Sequence, residues 1–261
     1  MSEPFLIGRK IMLKEIFRIN TKTKKLIFIM SIVALTGLII AYFYYGSINN
    51  MEDPRILHIK KIHSSYNKFV LDNNMTEVLT LLDSMDDEYA KIPHYSDSFE
   101  RGVLQTDRSS VYLNIALYQI TDEDEKIIYL DKAEECLNKS ISYYDSWKRT
   151  YSELDSIHLK NKIISDFSDI KSDNISKIVD KRIRDINEGL LDLDKRYSVT
   201  YTNLGIVMRH KFHQDSALMY YRKAVELWDD NHAAKSNLNV LLGKEPLKRG
   251  VLEKIFPKEK E

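Results

Sequence analysis

Two groups of side chains have the residue types that could hold a metal ion: His210, His213 and Asp215 in one stretch, and His58 with His63 in another. Helical metal sites favour ligands four residues apart, because that spacing points both from one face. His58 and His63 are five apart, and His210 to Asp215 fall where a turn with solvated polar residues is expected. No metal and no cofactor is therefore expected. Cys136 is the single cysteine, so a disulfide scaffold is excluded and the redox compartment is left open. The chain has no Gly-rich phosphate loop, no nucleophile elbow and no Cys-His set with zinc spacing. The acidic runs from Asp83 to Glu88 and from Asp122 to Glu125 read as solvated helix ends. No catalytic residue is expected: the chain reads as a non-enzyme without a small-molecule substrate.

The elements that would carry these side chains are helices. Eight Gly and five Pro in 261 residues disfavour the turn-dense composition of sandwiches and barrels. No sustained period-two alternation and no Asn-Gly or Asp-Gly hairpin turn occurs. Asp53-Pro54 is a helix start, since Asp caps and Pro is tolerated at the first helical position. Ile56, Ile59, Ile62, Tyr66 and Phe69 follow at helical steps, then Val78, Leu79, Leu82, Met85 and Tyr89, predicting a helical hairpin that breaks at Asp72-Asn73-Asn74. After a polar loop around His94 to Asp97, a third helix is predicted through Val111, Ile115 and Ala116. A fourth starts in the acidic turn from Thr121 to Glu125 and stops near Asp145. Residues 147–195 read as an insertion, with short helices around Trp147 to Ile157 and Ile163 to Ile170, and a cleaner one from Ile175 to Leu193.

From Leu26 to Tyr45 the chain reads LIFIMSIVALTGLIIAYFYY, twenty residues without a charge. At 1.5 Å per residue that spans about 30 Å, the hydrocarbon thickness of a bilayer. A cleaved signal peptide has a shorter apolar region and a small-x-small site, and Tyr44 is too large for one at Gly46. Residues 1–25 carry seven Lys or Arg against Glu3 and Glu15, and the twenty residues after Tyr45 only Arg55, Lys60 and Lys61. The positive-inside rule then places the N-terminus in the cytoplasm and the remainder outside, at a bacterial cytoplasmic membrane. The basic tail interleaves Ile7, Ile11, Leu13, Ile16 and Phe17 with Arg9, Lys10, Lys14 and Arg18. It reads equally as an amphipathic helix on anionic lipid or as a solvated tail that only fixes orientation. After Tyr45, 32 basic residues face 37 acidic ones. That mildly acidic balance argues against a nucleic-acid partner.

Residues 198–231 carry a repeat signature: Tyr201, Leu204-Gly205 at the following spacing, Met208, Ala217, Tyr221 four further on, and Ala224. This stretch resembles a tetratricopeptide repeat, whose pattern runs aromatic, Leu-Gly, Tyr, Ala, aromatic, Pro over 34 residues. Asp229 stands where the family has Pro, and Phe212 where Gly makes the turn between the two helices, so a tighter or shifted turn is expected. Weaker echoes lie in Tyr112, Ile115, Ala116, Ala133, Leu137 and Ser140, and in Ile62 to Met85. The resemblance implies an all-α fold over residues 53–242, an array of antiparallel helical hairpins in which Gly205 and Ala217 let helices cross closely while Tyr201 and Tyr221 fill the space between. Residues 243–261 would form a tail, with Leu247, Val251, Leu252 and Ile255 docking on the last repeat or touching the membrane.

In that family the first helices of successive repeats line a groove for a peptide or another protein's helix, so other proteins are the implied partners besides the bilayer. The outward positions would be Leu113, Asn114, Leu117, Thr202, Asn203, Ile206, Arg209, Ser236, Asn237 and Val240. Amides there could bond a peptide backbone. The expected function is a membrane-anchored interaction scaffold. The alternatives are an assembly subunit whose groove is filled by residues 147–195, and an enzyme accessory or sensor that relays binding across the bilayer.

Overall fold

A computed structural model describes residues 20–49 and 51–248, which form nine α-helices and two short 3-10 turns, with no strand among them. The chain divides into two compact units, one ending at Met51 and one beginning at Glu52. In the first, α1 (Thr21–Asn49) runs a little over one turn beyond the apolar run at each end. Its stretch Thr21–Gly46 is long and apolar enough to cross a membrane. Leu26, Phe28, Met30, Val33, Leu38 and Ile40 are all exposed along it, a pattern that water would penalise and lipid would not. The basic tail, residues 1–19, lies outside the described residues.

The second unit begins with a turn at Pro54–Ile56, capped by the Asp53 carboxylate accepting from the Arg55 N–H at 2.9 Å. It continues in α2 (Leu57–Leu71) and α3 (Met75–Ala90), then a turn at Pro93–Tyr95. Next come α4 (Phe99–Tyr118), α5 (Glu123–Tyr151), α6 (Ser156–Asp166), α7 (Ile175–His210), α8 (Gln214–Leu227) and α9 (His232–Leu241). Asn74, Ser98, Asp122, Asp155 and Asn231 each accept a backbone N–H from the first turn that follows. Helices adjacent in the order α2, α3, α4, α5, α7, α8, α9 pack on one another, α4 also touches α7, and α7 touches α9.

Three cores result. One gathers Ile59, Val78, Leu82, Met85 and Leu104 between α2, α3 and α4. The largest joins α4, α5, α7, α8 and α9 through Ala116, Leu137, Tyr144, Leu204 and Tyr221. A third holds Trp147, Ile163, Phe167, Ile178 and Ile186. Small residues set the closest crossings. A Cβ on Gly205 would run into the ring of Tyr221, and one on Gly102 into the ring of Tyr144. Tyr201, Leu204, Ala217 and Ala224 are buried beside the first of these crossings. Hydroxyl networks fasten the same layers. Thr106 Oγ1 lies 2.8 Å from Ser140 Oγ and 3.2 Å from Thr200 Oγ1. Asn231, while capping α9, donates to Ser198 Oγ at 2.8 Å and Thr202 Oγ1 at 3.0 Å. A buried polar group satisfied this way avoids a penalty of about 1–3 kcal/mol.

Residues 147–195 are not a separate insertion. Helix α5 does not stop near Asp145: Leu137, Ser140, Tyr144, Trp147 and Tyr151 continue its buried stripe at steps of three and four. Trp147 and Tyr151 thus belong to α5, with the chain turning at 152–155. Helix α7 is one element of 36 residues. Its buried stripe runs through Ile186, Gly189, Leu193, Tyr197 and Tyr201, with neither a proline nor a capping break to divide it. The segment is therefore the prolonged far end of the α5–α7 pairing, with α6 laid across it.

The turn at Phe212 is not shifted. Phe212 adopts φ +62° itself, and the His213 N–H donates to the Met208 carbonyl while the Phe212 N–H donates to that of Arg209. These are the two bonds of a Schellman closure, which calls for a left-handed residue at that place. The same pair of bonds closes α2, with Asn73 at φ +54°, and α9, with Gly243 at φ +71°. A bulky side chain in that conformation costs about 1–2 kcal/mol, and the Phe212 side chain is left in solvent. Residues 244–248 form no regular element, and the Leu247 N–H donates to Ser236 Oγ at 3.3 Å. The rest of the tail, including Val251, Leu252 and Ile255, lies outside the described residues.

Candidate functional site

Val103, Asp107, Ser110, Asn114 and Leu117 follow one another at alternating steps of four and three, which puts them on one face of α4. On α7, Arg196, Val199, Asn203, Ile206 and His210 repeat that spacing. The two faces are joined where Asn203 Nδ2 donates to Ser110 Oγ at 3.3 Å. Asn114, Leu117, Asn203, Ile206 and Arg209 are all half-buried here, as are Ser236, Asn237 and Val240 on α9. Two of the amides already have partners within the chain, since Asn114 Oδ1 accepts from Gln119 Nε2 at 3.4 Å. Leu113 and Thr202, expected to point outward, are buried. Leu113 joins the main core, and Thr202 turns toward Asn231 because its hydroxyl bonds the Ser198 carbonyl one turn back.

At its α2 end this face opens into a cleft of about 500 Å³, within the range of ligand-sized sites. Helix α2 supplies Ile59, Lys60, His63 and Ser64, α3 supplies Met85 and Tyr89, and α4 supplies Phe99, Glu100, Val103, Leu104 and Asp107. None of the residues 147–195 lines it. None of the outward positions read from the sequence lines it either, though Asn114 and Leu117 share its α4 face.

The charges in the cleft differ in how they are held. Lys60 Nζ lies 2.5 Å from Glu52 Oε1. Glu100 is bound by the Arg182 guanidinium. Burial pushes the Glu100 carboxyl up, but Arg182, with hydrogen bonds from its own backbone N–H and from Ser98, holds it below the ordinary range. Asp107 makes no hydrogen bond or ion pair among the described residues. Burial pushes its carboxyl up to about 6, against the pull of Arg196. Tyr66 on α2 is raised to about 12, by burial first and then by the Asp107 charge. A carboxyl so perturbed in a concave apolar setting marks a functional candidate.

Glu100 also belongs to a buried ionic chain, of which His94 alone was expected in a polar loop. Arg182 Nε donates to His94 Nε2 at 2.8 Å, and His94 Nδ1 lies 3.0 Å from Asp166 Oδ2. A ring whose Nε2 accepts is neutral, with its proton on Nδ1 toward Asp166. Burial and then the Arg182 charge lower the His94 pKa to about 4, although Asp166 and Glu100 oppose them. The guanidinium also stacks 4.4 Å from the centre of the Tyr95 ring and 5.2 Å from that of Trp147. The chain ties the Pro93–Tyr95 turn, α4, α6 and α7 together.

The histidines first considered as ligands lie apart. His213 and Asp215 are exposed at the α7–α8 turn beside the half-buried His210, while His63 stacks on Tyr66 with ring centres 5.7 Å apart. Among the described residues no group of three or more His, Cys, Asp or Glu could hold a metal ion. No known family model matches the chain, and comparison with curated proteins finds no match.

Proposed function

We propose that this protein is a membrane-anchored scaffold that binds other proteins on the face built from α2, α4, α7 and α9, through a tetratricopeptide-like stacking of helical hairpins. The observation that carries the reading is the open apolar cleft at one end of a continuous, half-buried helix face. Three features support the repeat stacking. Each of the two long hairpins crosses at a glycine under a tyrosine ring, at Gly102 and at Gly205. Of the first helices in this stacking, α2, α7 and α9 close in the same way. Contacts between α4 and α7 and between α7 and α9 are those expected of successive first helices. Residues 147–195, which the assembly-subunit alternative would place in the groove, are absent from the lining of the cleft.

The anchor is α1, crossing a bacterial cytoplasmic membrane with the seven basic residues of the leading tail inside and the helical domain outside. Protease added to spheroplasts is expected to digest the domain from Glu52 onward; full protection would reverse the orientation.

In-cell cross-linking followed by mass spectrometry tests the binding reading. Leu117→Glu with Ile206→Glu places two charges on the shared face, and a drop of several-fold in cross-linked partners is expected with helical content unchanged. The same partners at the same yield would count against binding on this face.

A further inference from the structure

We infer that the cleft between α2 and α4 takes a segment of a partner protein that presents one lysine or arginine between apolar side chains, with the Asp107 carboxylate as its counter-ion. The inference rests on the protein-binding reading above and names the chemistry of what is bound.

The argument is one of charge complementarity inside apolar walls. Ile59, Met85, Val103 and Leu104 offer only hydrocarbon and a thioether, so the bulk of an occupant must be apolar. Of the charged groups at the cleft, Lys60 is neutralised by Glu52 at 2.5 Å and Glu100 by Arg182. That leaves Asp107 as the charge without an ion pair among the described residues. Arg196 of α7 is the cation that influences it, beyond ion-pair distance. Tyr66 and His63 of α2 are uncharged neighbours when His63 is neutral.

A carboxylate held among apolar groups is costly alone, and a cation that reaches it turns the cost into attraction. An acidic segment would meet repulsion from Asp107. An apolar segment with no charge would leave the carboxylate unpaired and drier than before. The elevated pKa of Asp107 agrees with a carboxylate that has little solvent and no counter-ion of its own.

The test uses the full chain in nanodiscs of phosphatidylcholine, which carry no net charge to attract basic peptides. A phage library of random twelve-residue peptides is depleted on empty nanodiscs and then selected on the protein. The expected consensus holds a lysine or arginine flanked by apolar residues. A synthetic consensus peptide should bind Asp107→Asn about tenfold or more weakly, the loss typical of removing one partner from a desolvated charge pair. Asp107→Asn keeps the side chain's size, and Ser64→Lys, at an exposed position on the opposite wall, supplies a competing cation and should weaken binding similarly. A consensus without a basic residue, or a basic one whose affinity ignores both variants, overturns the cation preference and leaves the binding face standing. A selection that enriches no peptide overturns both.

Discussion

Replacing Arg182 by methionine is expected to destabilise the helical domain by about 3–5 kcal/mol, the usual consequence of removing one partner from a buried ion pair. Arg182 is 3% exposed. Burial alone lowers its pKa, yet Glu100 and then Tyr95 outweigh that and raise it, so the guanidinium stays charged. Methionine would fill part of the volume between Tyr95 and Trp147. It would leave Glu100 without its counter-ion and His94 Nε2 without a donor. The measurement is urea unfolding of the full chain in detergent, followed through the fluorescence of Trp147, whose ring lies 5.2 Å from the guanidinium. Glu100→Gln in the Arg182→Met background should recover part of the loss, because the stranded charge is then gone. A loss under about 1 kcal/mol would mean that Glu100, once stranded, is rehydrated or protonated at little cost and is not held as a buried charge.

That cluster was hidden from the sequence for a physical reason. His94, Glu100, Asp166 and Arg182 are spread over 89 positions of the chain, and no local pattern pairs one with another. Arg182 does lie on the apolar stripe of its own helix, four residues from Ile178 and from Ile186, so its burial was signalled while its partners were not. The all-helical class was legible, because it rests on the short-range period of apolar residues and on the scarcity of Gly and Pro. So was the close approach at Gly205, since Leu204-Gly205 and Tyr221 sit at a spacing with a packing consequence. The lengths of α5 and α7 were not, because Trp147 and Tyr151 fit a new short helix as well as the end of an old one. Only the partner stripe on α7 decides between them. The cleft was not legible: Asn114 and Leu117 were placed on an outward face but do not line it, and Asp107 was passed over because the helix was traced only from Val111. Extending the stripe backward by threes and fours reaches Ser110, Asp107 and Val103.

Asp107 and His94 should oppose each other across the same pH range, so that their two contributions largely cancel in the intact protein and each variant exposes the other. The folded His94 has its pKa lowered from 6.5 to about 4. Between those values the unfolded chain holds more protons, so stability is lost as pH falls, by about 3 kcal/mol in all. The folded Asp107 has its pKa raised from 3.8 to about 6. There the folded chain holds more protons, so stability is gained as pH falls, again by about 3 kcal/mol at most. The groups facing His94 are Arg182, Asp166 and Glu100, and those facing Asp107 are Arg196, Tyr66 and His63, so neither residue leans on the other directly. Asp107→Asn should therefore be more stable than the parent at pH 7, by about 2–3 kcal/mol, and lose stability steadily toward pH 4. His94→Gln, whatever it costs at pH 7, should gain stability over the same interval. Urea unfolding at half-unit pH steps reads both slopes, and two variants that both kept the parent's slope would refute the opposition. The consensus peptide adds a third reading: a carboxyl protonated below about 6 no longer attracts a cation, so peptide affinity for the parent should fall through that pH.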